Sequence, residues 1–255
     1  AMRLSGDKRD LFHTLHYRRI DAWLCQLHSL AADVRNKTRF DPERVHVVPL
    51  GTDLEAFEKP LQKAQLRAKL DLPKKALIMG IVGRIDPGKG QLFLVEALAE
   101  IRKTVPEAVL VMVGDVTANE GYEYRDRVFE KINELGLENA VNVRGFTDRV
   151  QDYLGAFDVF AMASGKETFG MVTVEAMAAG LPVIGTDSGG TPEILRNGEL
   201  GLLYPPGSRE AFCSKAGALL SDPEYRQQLG EKARAEAFAR YSHLRECERV
   251  EEIIR

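Results

Sequence analysis

From residue 76 onward, short apolar runs alternate with longer segments of helical periodicity, and this alternation constrains the fold more than any other feature of the chain. The apolar runs carry almost no charge, which is typical of strands buried on both faces of a parallel sheet. We therefore expect an α/β fold with a doubly wound parallel sheet that binds ligands at the carboxyl ends of its strands. The predicted strands are 76–83, 108–114, 140–145, 158–164 and 181–186, with helices such as 91–104 and 122–136 between them.

After residues 201–206 the pattern changes to helices alone. Three segments, 208–222, 223–241 and 242–255, place apolar residues at helical spacing. Asp222 and Ser242 precede the second and third of them, and these residue types favour the N-cap position.

The composition excludes several classes of function. The 255 residues include 35 Lys and Arg and 38 Asp and Glu, a net charge of −3, which argues against nucleic acid as the main ligand. No apolar run reaches the length of a membrane-spanning helix. Cys25, Cys213 and Cys247 lie far apart without metal-ligand spacing, so we interpret them as inert thiols of a cytoplasmic, reducing compartment.

The first fifty residues do not join the main pattern. Residues 21–51 predict one strand, one helix and one strand, a unit too small to bury a core of its own. The start of the chain lacks the basic leader and apolar segment of a signal peptide. Because Ala1 precedes Met2, we interpret it as a cloning remnant and expect the natural protein to be longer.

The segment "GRIDPGKGQ" (83–91) follows the first predicted strand of the main pattern. Gly83 permits a sharp turn, and Arg84 and Lys89 bring two cations to the edge where ligands bind. The spacing also fits the phosphate loop of nucleoside triphosphatases, but Gly90 stands where that loop needs Ser or Thr for magnesium. On this segment alone, a solvated basic loop is the favoured interpretation.

The segment "ETFGMVTVE" (167–175) contains two carboxylates eight positions apart. Gly170 is expected to open a helix whose first N–H groups, at residues 169–172, lack internal partners and form an anion site. Glu175 lies beyond the first turn among apolar neighbours, where a carboxylate is costly without partners. It is either a structural salt bridge, an exposed edge residue, or an acceptor for vicinal hydroxyls such as those of ribose.

Downstream, "TDSGGTPEIL" (186–195) places two glycines after a predicted strand. They allow the backbone to approach either a ligand or a neighbouring loop. Thr191 is predicted as an N-cap and Pro192 as the first residue of the following helix.

Together these segments resemble the retaining glycosyltransferases of the GT-B fold. The similarity extends from Asp21 to the C-terminus and rests on three motifs in a fixed order. They are "VHVVPLGTDLEAF", similar to the family's interdomain linker, "GRIDPGKGQ", and the E-x7-E signature in "ETFGMVTVEAMAAGLPVIGT".

The resemblance implies a role for each matching residue. Arg84 and Lys89 would neutralise the diphosphate that leaves, and Glu167 would contact hydroxyls of the transferred sugar. Glu175 would bind the ribose, and Phe146 in "VRGFT" would contact the base. The donor-binding set implied is Gly83, Phe146, Phe169, Gly170, Met171, Val172 and Glu175, with catalytic roles for Arg84, Lys89 and Glu167.

The resemblance also implies the chemistry and the cofactors. No two aspartates stand two positions apart, so the D-x-D metal clamp of other glycosyltransferases is absent from the sequence. We expect no metal and no cofactor, with a UDP or GDP sugar as the donor and retention at the anomeric carbon. The acceptor is a sugar, a lipid or another small molecule.

Enzymes of this fold have two Rossmann-like lobes, and the chain matches mainly the C-terminal one. We assign residues 1–50 to an incomplete N-terminal lobe with its linker, 51–240 to the donor-binding domain, and 241–255 to a helix that crosses back to the N-terminal lobe. Membrane contact, if any, would be peripheral and made by the lobe that is missing.

Three functions are compatible with these motifs. The first is a retaining transferase of polysaccharide biosynthesis. The second is a nucleotide-sugar-binding module without activity of its own. An epimerase of the same architecture is the third, but its donor-site signature differs from E-x7-E.

Overall fold

The structure, a computed structural model, describes residues 4, 6–59, 62–116 and 122–255. The chain forms two compact units, one of residues 1–53 with 238–255 and the other of residues 54–237. Within the described residues, no helix combines the length and the hydropathy needed to cross a membrane. The domain roles assigned to 1–50, 51–240 and 241–255 stay predictions.

The smaller unit contains a two-stranded parallel sheet, as the sequence predicts. Strand β1 (Trp23–Cys25) pairs with β2 (Val45–Val47), and helix α2 (His28–Lys37) connects them. A short helix that the sequence analysis did not predict, α1 (Leu11–Tyr17), precedes β1. The C-terminal helix α11 (His243–Ile254) belongs to the same unit, where Glu246 accepts a hydrogen bond of 2.8 Å from the N–H of Gly51.

The larger unit is built on a parallel sheet of six strands. The five predicted strands are confirmed, and a sixth follows residue 201, where the sequence analysis expected only the change to helices. This last strand has three residues between glycine and proline, too few for a periodic signal. The strands are β3 (Leu77–Val82), β4 (Ala108–Val113), β5 (Val141–Arg144), β6 (Val159–Met162), β7 (Val183–Thr186) and β8 (Leu202–Tyr204).

The strand order β5–β4–β3–β6–β7–β8 is that of a doubly wound Rossmann-like sheet. Every residue of β4, β6 and β7 is buried, which explains why their sequences are continuously apolar instead of alternating. The predicted fold class is therefore confirmed for this unit.

Seven helices, α3 to α9, form two groups that pack on the strands, and α10 follows them in the chain. One contains α4, α5 and α9, and the other contains α3, α6, α7 and α8. Their bounds are α3 (Lys63–Lys69), α4 (Gln91–Ile101), α5 (Glu123–Glu134), α6 (Val150–Ala156), α7 (Met171–Ala178), α8 (Thr191–Ile194), α9 (Arg209–Ser221) and α10 (Pro223–Arg240).

Most of the predicted helix ends are confirmed. Asp222 Oδ1 accepts from the N–H of Tyr225 at 2.9 Å, and Ser242 caps α11. Gly180 follows α7 in the left-handed conformation, with φ of 75°. The N-cap prediction for Thr191 is wrong, because the carbonyl of Gly190 already accepts the N–H of Ile194 and Thr191 lies inside α8.

Candidate functional site

The strand order fixes where a ligand can bind. Chain connections reverse direction between β3 and β6, and the loops after these two strands diverge at the carboxyl edge of the sheet. The first loop is residues 83–90 and the second is residues 163–170. Both segments that the sequence analysis selected therefore border the same crevice.

The loop 83–90 is held by the strand beside it. The N–H of Gly83 donates to the carbonyl of Val113 at 2.9 Å, and the side chain of Gln91 donates to the carbonyl of Arg84 at 2.7 Å. A Cβ at Gly114 would lie 2.0 Å from the carbonyl oxygen of Gly83, so only glycine fits there. Arg84 itself is exposed, with a guanidinium nitrogen 3.7 Å from the carboxylate of Asp86.

Lys89 and Glu167 meet across the crevice. The Lys89 Nζ lies 2.7 Å from Glu167 Oε2, and both side chains are largely shielded from solvent. The sequence predicts a phosphate contact for the lysine and a sugar contact for the glutamate. The structure brings the two side chains together as an ion pair, and the two ligand contacts stay predictions.

A cleft of about 100 Å³ opens beside this ion pair. Its lining combines apolar side chains with a few polar groups. Its lining residues are Ile81, Val82, Gly83, Lys89, Met162, Ser164, Glu167, Gly170, Met171 and Val172.

The loop carrying Glu167 is supported by the two glycines of "TDSGGTPEIL". The N–H of Gly190 donates to the carbonyl of Glu167 at 2.8 Å. A Cβ at Gly189 would lie 2.0 Å from the same carbonyl oxygen. Of the two explanations left open by the sequence, close approach to a neighbouring loop is the one the structure supports.

Helix α7 begins at the cleft. Gly170 precedes it with φ of 87° and supplies no side-chain cap. Its carbonyl accepts the N–H of Thr173 at 2.9 Å, so the N–H groups of Met171 and Val172 come before the first intrahelical bond. Phe169 is 5% exposed and anchors the turn in the core.

Glu175 lies one turn beyond Met171 on α7 and is not among the residues that line the cleft. Burial raises the pKa of its carboxyl above the ordinary value of 4.5. Its carboxylate has no hydrogen bond or ion pair with any residue among 6–59, 62–116 and 122–255. The structural salt bridge considered from the sequence is therefore not found there.

Phe146 follows β5 at the same edge of the sheet, and its side chain is 85% exposed. It does not line the cleft described above, and its contact with a base stays a prediction. The sequence analysis missed Ser164 and Gln91. Ser164 is the last residue of the predicted strand 158–164, and this position at the ligand edge is the signal that could have found it.

Comparisons with known proteins agree with the observed fold. Residues 62–236, more than half of the chain, match the family described as Glycosyl transferases group 1. A D-inositol 3-phosphate glycosyltransferase of Streptomyces bingchenggensis is 34% identical over 198 residues, 76% of this chain and 44% of that protein. The chain thus spans about half the length of the curated relatives it matches.

Solved structures share the fold. Anabaena HepE in complex with UDP-glucose aligns with a TM-score of 0.83 at 26% identity, covering 95% of this chain and 66% of HepE. The C-terminal domain of LpcC, a glycosyl transferase group 1 family protein from Francisella tularensis, aligns with a TM-score of 0.68 at 28% identity. That alignment covers 75% of this chain and 99% of the LpcC domain, which identifies the larger unit as a C-terminal Rossmann-like lobe. From its sequence motifs, its strand order and these similarities, the chain belongs to the glycosyl transferases of group 1.

Proposed function

We propose that the protein transfers a sugar from a nucleoside-diphosphate sugar to an acceptor with retention of the anomeric configuration, and that this chain carries the donor site. The observation that supports it most directly is the meeting of Lys89 and Glu167 beside the start of α7. A cation, a carboxylate and free helical N–H groups match a diphosphate joined to a polyhydroxylated ring.

Each side chain has one task in this proposal. Lys89 and Arg84 neutralise the diphosphate, and the N–H groups at the start of α7, from Phe169 to Val172, donate to phosphate or sugar oxygens. Glu167 accepts hydrogen bonds from hydroxyls of the transferred sugar. Glu175 accepts them from the ribose, since its carboxylate is partly desolvated and has no described protein partner.

The reaction breaks the bond between the anomeric carbon and the diphosphate oxygen. The acceptor hydroxyl attacks from the same face, and its proton passes to the departing phosphate, which preserves the configuration. Two fixed cations and a helix N-terminus stabilise the charge that develops on the leaving group. We propose that they do so without a metal ion or cofactor, since the sequence has no D-x-D clamp.

The donor is proposed to be a UDP sugar, with a GDP sugar as the second candidate. Support for UDP comes from HepE, which was crystallised with UDP and with UDP-glucose. The acceptor is assigned only as a sugar, lipid or small molecule, in a cytoplasmic step of polysaccharide synthesis. Because the chain spans less than half of the Streptomyces relative, a nucleotide-sugar-binding module without activity of its own is the alternative.

The test compares the full-length protein with this chain. We expect the full-length protein to release nucleotide from its donor in the presence of EDTA and to yield a product of retained configuration by NMR. Absence of transfer, hydrolysis and donor binding would contradict the proposal. Calorimetry of the 255-residue chain with UDP, GDP and ADP decides the alternative, which requires binding without turnover.

A variant of Glu167 distinguishes contacts to the sugar of the donor from contacts to its nucleotide. Glu167→Gln keeps the shape and removes the charge, so it should lower sugar transfer at least tenfold while UDP binding is not weakened. Removing the charge of Glu167 leaves Lys89 free to bind the diphosphate, so UDP binding is not expected to weaken. Weaker UDP binding by this variant would contradict the sugar role of Glu167.

A further inference from the structure

Ser164 lies two residues after β6, in the loop that borders the crevice, and the hydrogen-bonding capacity of its side chain is unused by the described residues. It is 2% exposed, and its Oγ has no hydrogen-bond partner among the residues that the structure describes. A buried hydroxyl without a partner is costly, so each such group in a folded protein calls for an explanation.

The backbone around Ser164 is firmly held on two sides. Its carbonyl accepts the hydroxyl of Thr186 at 2.7 Å, and the next residue, Gly165, donates its N–H to the carbonyl of Gly88 at 3.2 Å. A Cβ at Gly90 would lie 2.5 Å from the carbonyl oxygen of Ala163. The backbone on either side of the serine thus packs against the loop that carries Lys89. Its side-chain hydroxyl has no partner among the described residues.

The groups around this hydroxyl indicate the chemical class of its ligand. Ser164 lines the same cleft as Lys89, Met171 and Val172, which supply a cation and the start of a helix. Glu167 also lines the cleft and pairs with Lys89, but the lysine and the helix start both favour an anion. A hydroxyl that donates to an anion makes a stronger bond than one between neutral groups. A phosphate oxygen therefore suits the position.

We propose that Ser164 is a binding residue for the diphosphate of the donor, donating a hydrogen bond from its Oγ to a phosphate oxygen beside Lys89. This inference rests on the proposed function and adds a residue to it. Donor binding supplies a partner that no described residue provides for this hydroxyl. The hydrogen bond gained on binding contributes to affinity.

Ser164→Ala in the 255-residue chain tests the proposal by calorimetry with UDP and by thermal unfolding. We expect UDP binding to weaken about tenfold, the effect of one hydrogen bond to a charged group. The melting temperature of the free protein should not fall, since no protein contact is lost. Ser164→Cys keeps the size of the side chain but is a weak donor, and the same loss is expected.

The matched control is Thr191→Val. Thr191 Oγ1 is equally buried and also lacks a partner among the described residues, but it does not line the cleft. UDP binding by this variant should stay within twofold of the unmodified chain. A tenfold loss in both variants would mean that removing any such hydroxyl disturbs the site, and would overturn the proposal.

Other outcomes overturn the proposal in distinguishable ways. UDP binding unchanged in Ser164→Ala excludes the phosphate contact, and a loss confined to UDP-glucose assigns the hydroxyl to the sugar instead. If Ser164→Ala lowers both the melting temperature and the affinity for UDP, the serine has a structural role. If the unmodified chain binds none of UDP, GDP and ADP, the proposed donor site fails, and the role of Ser164 fails with it.

Discussion

Two carboxylates near β6, one at each edge of the sheet, differ in whether they contribute to stability or are available for binding. Asp158 precedes β6 at the amino edge, and Glu175 lies on α7, which follows β6 at the carboxyl edge. Both are removed from solvent to a large extent. They differ in what the protein offers them as partners.

Asp158 is fully satisfied. Its carboxylate accepts from Arg67 Nη2 at 2.6 Å, from Lys63 Nζ at 2.7 Å and from the N–H of Ile78 at 2.7 Å. Burial acts to raise the pKa of Asp158, but the charges and hydrogen bonds of Lys63, Ile78 and Arg67 hold it below the ordinary 3.8. Arg67 also donates to the carbonyl of Ala156 and to two carbonyls near β3, so the cluster joins α3 to the amino ends of two strands.

The carboxylate of Glu175 is partly buried, and no hydrogen bond or ion pair with a described residue offsets the cost of its desolvation. Its pKa is raised by desolvation, and no described side chain or N–H group opposes that effect. The comparison teaches that a partnered buried charge holds elements together, whereas a partly buried charge without a described partner at a ligand edge is available for binding.

The largest effect is expected for Asp158→Asn. This change leaves the guanidinium of Arg67, which is 5% exposed, without its counter-charge. Breaking one side of a buried ion pair costs about 3–5 kcal/mol in free energy of unfolding, measured by urea titration. A loss below about 1 kcal/mol would show that the cluster is not structural.

Glu96→Gln provides the control for that experiment. Glu96 pairs with Arg209 at 2.6 Å, but both side chains are substantially exposed. Such surface pairs contribute about 0–1 kcal/mol, so the variant should unfold close to the unmodified chain. A comparable loss in both variants would remove the distinction between buried and exposed pairs.

Glu175→Ala should weaken binding without lowering stability, which is the opposite of the effect expected for Asp158→Asn. We expect UDP binding to weaken about 10- to 100-fold, since hydrogen bonds from ribose hydroxyls to a charged acceptor are lost. The free energy of unfolding should stay the same or rise, because no described protein contact disappears. Calorimetry and urea titration on one sample measure both, and a stability loss without an affinity loss would reverse the assignment.

A smaller effect is expected for Phe146→Ala. The side chain is 85% exposed at the ligand edge, and stacking of an aromatic ring on a base contributes about 1 kcal/mol at the low end of its range. UDP binding should weaken about fivefold, with stability unchanged, by the same two measurements. Unchanged binding would place the base elsewhere.

The sequence predicted the strands and helices that form this site better than the contacts that hold them in place. Continuous apolar strands identified the doubly wound sheet, and Gly170 identified the start of α7, whose role as an anion site stays a prediction. The three-residue strand β8 lacked a period, and Thr191 was misplaced because glycine can serve as the N-cap without a side chain. Contacts such as Arg67 with Asp158 join residues 91 positions apart, and no local pattern reports such a distance.

The smallest expected effect concerns pH, and here the two carboxylates act with opposite sign. For Asp158, the lowered pKa means that its stabilisation is present above pH 3.8 and is lost as pH falls through the folded-state value. For Glu175, the raised pKa means that the free protein loses stability as pH rises from 4.5 through the folded-state value. Glu175→Gln should therefore gain stability over the unmodified chain as pH rises above 4.5, whereas Asp158→Asn should lose the acid-side dependence. Urea titrations across this range measure the difference, and a Glu175→Gln curve parallel to that of the unmodified chain would show that Glu175 has a partner in the free protein.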